Sequence, residues 1–204
     1  MSQEHYFSTQ QSTPEKRKTI QVSLGGATRK VQTSGGIFSP DRLDKGTAIL
    51  LGGVPAPSPA GNLLDLGCGW GPVALSMAIA SPDATVHAVD VNERSIALTR
   101  DNAASLRLGN VRAGMPESVD PAIEFDTIWS NPPIRVGKEA LHELLMLWLP
   151  RLAPGGNAWL VVQKNLGADS LQKWIIGQLP SDWSVDRVST DNAFRILKVQ
   201  RPGA

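Results

Sequence analysis

From Asn62 onward, short apolar runs recur along the chain with longer, more mixed stretches between them. "NLLDLG", "ATVHAVD", "FDTIWS" and "GNAWLVVQ" have the length and composition of buried strands. The stretches between them begin near Pro72, Glu93 and Lys138 and read as helices. In the last, Leu141, Leu144, Leu145, Trp148 and Leu152 fall on one face, which predicts a helix reaching Leu152. Strands alternating with helices make βαβ units, and right-handed crossovers then give a parallel sheet covered by helices on both faces. Near the end, "WSVDRVS" and "FRILKVQR" are two strands joined by the turn-like "TDNA", so an antiparallel hairpin is predicted to close the sheet.

Before Asn62 the pattern is different. The chain is polar up to about Lys18, as in a loose arm. "TIQVSL" and "TRKVQT" then alternate apolar and polar positions around Gly25-Gly26, the signature of a small β-hairpin. In "GGIFSPDRLDKGTAILLGG", Asp44 is placed to cap a short helix carrying Ala48, Leu50 and Leu51. "VPAPSPAG" is a proline-rich connector. The predicted organisation is an arm and hairpin over residues 1–34 and one α/β domain over residues 35–204. A chain of 204 residues can bury such a core without a second domain.

Composition narrows the class of protein. Hydrophobic residues make up 41% and charged residues 19%, as in ordinary globular proteins. The single cysteine, Cys68, excludes an internal disulfide and has no Cys or His at metal-ligand spacing, so no metal site is expected. "MSQEHYFSTQ" lacks the apolar core of a signal peptide, and no apolar run approaches membrane-spanning length. A cytoplasmic protein without membrane contact is expected. Net charge is only +1, but residues 1–50 carry seven basic side chains (Lys16, Arg17, Lys18, Arg29, Lys30, Arg42, Lys45) against four acidic ones, an excess of three. That asymmetry suits an anionic partner, and a solvated face would produce it equally.

Candidate chemistry gathers at strand ends, where open α/β sheets bind ligands. The first strand runs into Asp65-Leu66-Gly67-Cys68-Gly69-Trp70-Gly71-Pro72. Its glycines allow a sharp turn and close approach of a ligand, and Pro72 suits the first position of a helix. The spacing is not that of a dinucleotide loop, because Pro72 stands where that pattern needs glycine, and the Gly-Lys-Ser/Thr of a phosphate loop is absent. Asp65 disfavours a pyrophosphate and favours a cationic or amine-bearing ligand. Asp90, closing the second strand, is placed for the two hydroxyls of a ribose. A nucleoside with a cationic tail, S-adenosylmethionine, fits both carboxylates.

The third strand ends in Ser130-Asn131-Pro132-Pro133-Ile134. Two prolines remove two backbone donors and fix two φ angles near about −65°, making a stiff, extended corner. Such a corner is either a strand terminator or a mount that aims Asn131 at a planar N–H group.

In "GIFSPDRLDKGT", "LLDLGCGWGPVAL", "AVDVNERSI" and "SNPPIRVGK", taken in order, the chain resembles the class I S-adenosylmethionine-dependent methyltransferases. It is most similar to the methyltransferase small domain group, which includes small-subunit rRNA guanine-N2 methyltransferases. The resemblance covers roughly residues 35–200. It implies a Rossmann-like, seven-stranded, mostly parallel sheet with the antiparallel hairpin at its C-terminal end and helices on both faces. Relatives often carry a degenerate second copy of the domain upstream, and this chain resembles the single-domain form. The resemblance also implies that Asp65, Gly67, Cys68, Gly69, Gly71, Asp90, Val91, Met115 and Asn131 line the cofactor site. Asn131, Pro132, Pro133 and Ile134 become the catalytic corner, and Phe38, Arg135 and Lys138 the substrate contacts. Where relatives place an acidic residue for the adenine amine, this chain has Gly114 or Met115. Ile134 stands where an aromatic residue often stacks on the target base, leaving Phe38, Trp70 or Phe194 for stacking.

The leading expectation is methyl transfer to an exocyclic amine of RNA, rRNA guanine N2 foremost, with RNA or a ribosomal particle as partner. Adenine N6, a protein glutamine amide and a non-catalytic RNA-docking module are the rivals. His5, His87 and His142 have no partner at catalytic spacing, and Cys68 has no neighbouring base, so structural roles are expected for all four. Arg135 and Lys138 suit either a phosphate contact or a solvated surface.

Overall fold

The structure, a computed structural model, describes residues 16–133, 136–191 and 193–203. The chain opens with a two-stranded hairpin, β1 (Arg17–Leu24) and β2 (Ala27–Ser34). Gly25 and Gly26 turn it with φ of 57° and 76°, the left-handed pair that a two-residue hairpin loop requires. Helix α1 (Lys45–Gly53) follows, with Asp44 at its N-cap accepting from the Thr47 amide at 3.2 Å.

A seven-stranded sheet comes next. Its strands are β3 (Ala60–Leu66), β4 (Asp83–Val89), β5 (Val111–Gly114), β6 (Phe125–Ser130), β7 (Leu152–Gln163), β8 (Ser184–Asp191) and β9 (Phe194–Gln200). The helices between them are α2 (Pro72–Ala80), α3 (Glu93–Ser105), α4 (Lys138–Trp148) and α5 (Ala168–Gln178). Strand order is β5-β4-β3-β6-β7-β9-β8, with β3 to β7 parallel and β9 antiparallel to both its neighbours. The mostly parallel sheet, its closing hairpin and the N-terminal hairpin are therefore as expected. The chain moves outward from β3 to β5 and then returns to place β6 on the other side of β3. The carboxyl ends of β3 and β6 flank the point where strand order reverses, and a crevice opens there.

Alternation along the strands sorts the core onto two faces. Leu64, Ile128, Leu160 and Leu197 pack against Leu141, Leu145 and Trp148 of α4 and Leu171 and Ile175 of α5. Leu63, Trp129, Val161 and Ile196 pack against Leu50 of α1 and Val73, Ala74 and Met77 of α2. A third cluster joins Val22, Leu24 and Val31 of the hairpin to Trp70, Leu75 and Leu98, so the hairpin is bound to the helical layer. Asn102 of α3 strengthens that junction. Its side chain accepts from the Gln32 amide at 2.7 Å and donates to the Gln32 and Trp70 carbonyls, both at 2.9 Å.

Two expectations need correction, and two elements had not been expected. Helix α4 stops at Trp148, because Leu149–Arg151 form a 3-10 turn and Leu152 opens β7, where it is fully buried. Strand β8 runs to Asp191, so the "TDNA" turn is shorter than its sequence suggests. Strand β5, "VRAG", and helix α5 were not legible as separate elements; the former is four residues long and lacks an apolar run.

Candidate active site

The first functional loop is held by backbone bonds to its neighbour strand. The Gly67 and Cys68 amides donate to the Val89 carbonyl at 2.9 and 3.0 Å, and the Gly71 amide donates to the Cys68 carbonyl at 2.8 Å. Gly71 is the N-cap of α2 with φ of 96°, and a Cβ there would lie 3.0 Å from Thr99 Oγ1, so glycine is required twice over. Pro72 occupies the first turn of the helix, as expected. At Gly67 and Gly69 a Cβ would meet nothing within 4 Å, leaving open space for a ligand against the backbone.

Two carboxylates face this loop. Asp65 is almost fully buried, and its Oδ2 accepts from the Ala74 amide at 2.8 Å. Burial pushes its carboxyl up to about 8; the Ala74 hydrogen bond opposes the shift and the nearby Asp90 charge adds to it. Asp90 accepts from the Gly69 amide through Oδ2 and from the Asn92 amide through Oδ1, each at 2.9 Å. Burial raises its carboxyl too, against these backbone donors. A cation brought beside Asp65 would favour its ionised form. Glycine backbone, paired carboxylates and open space fit S-adenosylmethionine: Asp65 for the charged amino-acid end and Asp90 for the ribose.

Cys68 is buried and accepts from Thr99 Oγ1 at 3.5 Å, and burial drives its thiol well above the ordinary range. It fills space in the loop and offers no nucleophile. His87 lies at 9% exposure, edge-on to Phe125, and burial lowers its imidazole. His142 stacks on Trp174 at 3.4 Å. His5 lies outside the described residues.

Across the crevice, Asn131 follows β6 directly. Its Nδ2 donates to Asp44 Oδ2 at 2.9 Å and to Thr47 Oγ1 at 3.1 Å. A carboxylate only accepts, so it faces the amino end of the amide and fixes the side chain's orientation. Both Nδ2 hydrogens are thereby used, and Asn131 Oδ1 takes no hydrogen bond among the described residues. Gly46 allows this close packing: a Cβ there would stand 3.0 Å from Asp44 Oδ2, 3.1 Å from the Phe194 ring and 3.3 Å from Asn131 Nδ2. Of the two proline carbonyls, that of Pro133 accepts from the Val136 amide at 3.1 Å, while that of Pro132 takes no bond among the described residues.

One cavity of about 530 Å³ joins the two sides. Asp65, Gly67, Cys68, Gly69, Asp90 and Val91 line it from the cofactor loop side, and Phe38, Asn131 and Pro133 from the other. Gly71 and Pro132 are not among its lining residues. Met115 does not line it, but its neighbour Pro116 does. Lys138 starts α4 as an exposed residue away from the wall, and Ile134 and Arg135 lie outside the described residues.

Among the aromatic residues considered for stacking, Trp70 (2% exposed) and Phe194 (7%) are buried in separate core clusters, whereas Phe38 is 45% exposed. The segment leading to Phe38 is tethered to the N-terminal end of α3. Asn92 Nδ2 donates to the Gly36 carbonyl at 3.4 Å, and the Arg94 guanidinium donates to the Gly35 carbonyl at 2.8 Å.

Several lining residues had no sequence signal as site residues. Leu144, expected on the apolar face of its helix, packs against the core and with Val136 and Ala140 also forms an apolar wall of the cavity. Asp44 and Thr47 were legible only as the start of a helix. Among the described residues no cluster of His, Cys, Asp or Glu could hold a metal ion. No helix among them is long and apolar enough to cross a membrane.

The fold and motifs have relatives. The family model described as methyltransferase small domain matches residues 28–198. A Bacillus subtilis protein of uncharacterised function, YbxB, is 35% identical over 170 residues, covering 82% of this chain and 85% of its own. Ribosomal RNA small subunit methyltransferase C of Pseudomonas syringae is 32% identical over 191 residues, covering 91% of this chain and 55% of its own. Among solved structures, a T. thermophilus 16S rRNA N2-guanine methyltransferase in complex with AdoMet and guanosine superposes with a TM-score of 0.75 at 22% identity. That match covers 92% of this chain and 51% of the other, and it shows the shared fold. The chain spans about half the length of the rRNA methyltransferases it matches. With the four motifs standing at one cavity and the family model spanning most of its length, the chain belongs to the methyltransferase small domain family and is an S-adenosylmethionine-dependent methyltransferase.

Proposed function

We propose that the chain transfers a methyl group to an exocyclic amine of an RNA base, with guanine N2 of ribosomal RNA as the target. One observation carries this reading. The Asn131 amide has both hydrogens committed to Asp44 and Thr47, so what it offers the cavity is an acceptor. An acceptor there selects a nucleophile that carries N–H.

When bound, S-adenosylmethionine supplies an electrophilic methyl carbon on a sulfonium. The protein's part is to prepare the amine, whose lone pair is delocalised into the base. Asn131 Oδ1 and the Pro132 carbonyl accept its two N–H bonds and hold the nitrogen towards tetrahedral geometry, with the lone pair facing the methyl carbon. Transfer to this amine would form the N–C bond as the C–S bond of the bound cofactor breaks with its electron pair on sulfur, and the nitrogen's surplus proton would pass to bulk solvent as the product leaves the crevice. Alignment and fixed dipoles supply the acceleration, without a strong base. Phe38 at the mouth offers a ring for the base to lie against, and the apolar wall of Val136, Ala140 and Leu144 keeps water from the reacting atoms.

The rRNA methyltransferase name of the P. syringae relative and the guanosine bound in the T. thermophilus structure support this choice of substrate. The reading includes RNA or a ribosomal particle as partner and the cytoplasm as location. The basic residues before Lys45 supply the RNA contact in this reading, and Arg135 and Lys138 are the charges that would meet a phosphate near the target base. Within that N-terminal group, Arg17 pairs with Asp101 and Lys18 with Asp41, so part of its charge is engaged inside the chain. The test is transfer of labelled methyl from S-adenosylmethionine into separate RNA, DNA and protein fractions, followed by nucleoside analysis. N2-methylguanosine in the RNA fraction is the expected product. Label in N6-methyladenosine or in protein would replace guanine as the target, and no label in any fraction would favour a docking module.

A further inference from the structure

We infer that Asp44 reads the target base: its Oδ1 accepts the ring N–H next to the amine that Asn131 holds, so the site selects guanine over bases with a bare nitrogen there. The inference rests on the proposed transfer to an exocyclic amine and specifies which base edge the site accepts.

Among the described residues, Asp44 spends only one of its two carboxylate oxygens inside the chain. Its Oδ2 accepts from the Thr47 amide at 3.2 Å and from Asn131 Nδ2 at 2.9 Å. Asp44 also lines the cavity, and its Oδ1 takes no hydrogen bond among the described residues. The hydrogen bond between the two side chains makes Asp44 and Asn131 neighbours at the cavity wall, each with one oxygen unspent. Two adjacent acceptors match an edge with two adjacent donors. Guanine has such an edge in its N1–H and N2 amine. Adenine places a lone pair at N1 beside its N6 amine, and a carboxylate repels it.

A helix cap alone does not account for the residue. Asparagine caps helices as well as aspartate does, so capping would tolerate either. The two differ in the cavity. If asparagine replaced Asp44 and kept accepting from Thr47 and Asn131 through its oxygen, its amide hydrogens would face the base. A donor would then stand where wild type has an acceptor.

The experiment measures binding of guanosine and of 2-aminopurine riboside with S-adenosylhomocysteine present. The second probe keeps the 2-amine but has a bare N1. Wild type is expected to favour guanosine by about ten- to a hundredfold, the usual range for one charge-assisted hydrogen bond. Asp44→Asn should erase or reverse that preference while the protein stays folded. Thr47→Val removes an anchor of Asn131 without touching the reading atom, so it should slow methyl transfer but keep the preference. The inference is overturned if wild type binds guanosine no better than 2-aminopurine riboside, if it binds no guanosine, or if Asp44→Asn keeps the wild-type preference. Nucleoside analysis of wild-type product separates this failure from that of the proposed function. N2-methylguanosine together with an unchanged preference in Asp44→Asn overturns the base-reading role alone, while methylation of adenine or protein overturns both.

Discussion

The Gly69 amide donates to Asp90 Oδ2 at 2.9 Å, across 21 residues of sequence, and so ties the glycine loop after β3 to the end of β4. One carboxylate thus holds the loop, and in the proposed reading it also receives the ribose hydroxyls. Asp90→Ala removes the ribose contacts and frees the amides of Gly69 and Asn92. S-adenosylmethionine binding should weaken by about 1–3 kcal/mol, roughly ten- to a hundredfold. Calorimetry giving wild-type affinity for Asp90→Ala would remove Asp90 from the cofactor site.

Asp65 makes cofactor binding and stability depend on pH. Its folded carboxyl titrates at about 8 against an ordinary 3.8, chiefly through burial. The folded protein without cofactor therefore keeps a proton that the unfolded chain has already lost. This contribution to stability is complete below the unfolded value and is lost as pH rises towards about 8. A cationic ligand selects the ionised form, so affinity should rise with pH up to about 8 and binding should release a proton near neutrality. Calorimetry in two buffers of different ionisation heat reads that proton directly, and Asp65→Asn should abolish its release.

Asn102 bonds to both backbone groups of Gln32 and also reaches the Trp70 carbonyl, linking the hairpin to the cofactor loop. Asn102→Ala leaves buried backbone groups unpaired and should cost about 2–4 kcal/mol. The melting temperature should fall by roughly 5–15 °C. Asn102→Asp keeps the acceptor, loses both donors and sets a charge against carbonyls, so it should be at least as damaging. A melting temperature within about 1 °C of wild type in both variants would mean that the hairpin is held by apolar contact alone.

Asp44 also decides what an aspartate at position 131 would do. From the sequence, Asn131→Asp looks mild, since a carboxylate still accepts N–H bonds. In the structure it would face Asp44 Oδ2 at hydrogen-bond distance, and like charges repel there. Asn131→Asp should lower stability by about 1–3 kcal/mol. The exchanged pair, Asn131→Asp with Asp44→Asn, restores a donor opposite an acceptor and should recover most of the loss. Thermal melts of the four proteins form the cycle, and an exchanged pair no more stable than Asn131→Asp would deny the contact.

The parts of the site that were legible in the sequence stand at strand ends. Asp65, Asp90 and Asn131 each follow an apolar run, and an α/β sheet brings such ends to one edge whatever the loops do. Contacts made across the chain left no such trace. Asp44 and Asn131 lie 87 residues apart, and Asn102 and Gln32 lie 70 apart. Trp70 was a candidate for stacking, but although it borders the cavity it is 2% exposed and packs with Val22, Leu24 and Val31 of the hairpin. Leu144 matched the helical period of the core and packs against it, and it also borders the crevice. Periodicity assigns a residue to a face of its helix, and only the packing determines whether that part of the face meets core or cavity.

Whether Asn131 orients the nucleophile is decided by the turnover of Asn131→Ala measured beside its S-adenosylmethionine affinity. The substitution leaves both prolines, β6 and the Asp65 and Asp90 contacts in place. It removes one of the two acceptors at the reacting nitrogen, a loss expected to slow transfer about a hundredfold or more. The predicted result is that fall in kcat with cofactor affinity unchanged. An Asn131→Ala enzyme that turns over near the wild-type rate would contradict the claim and reduce the Asn-Pro-Pro corner to a strand terminator.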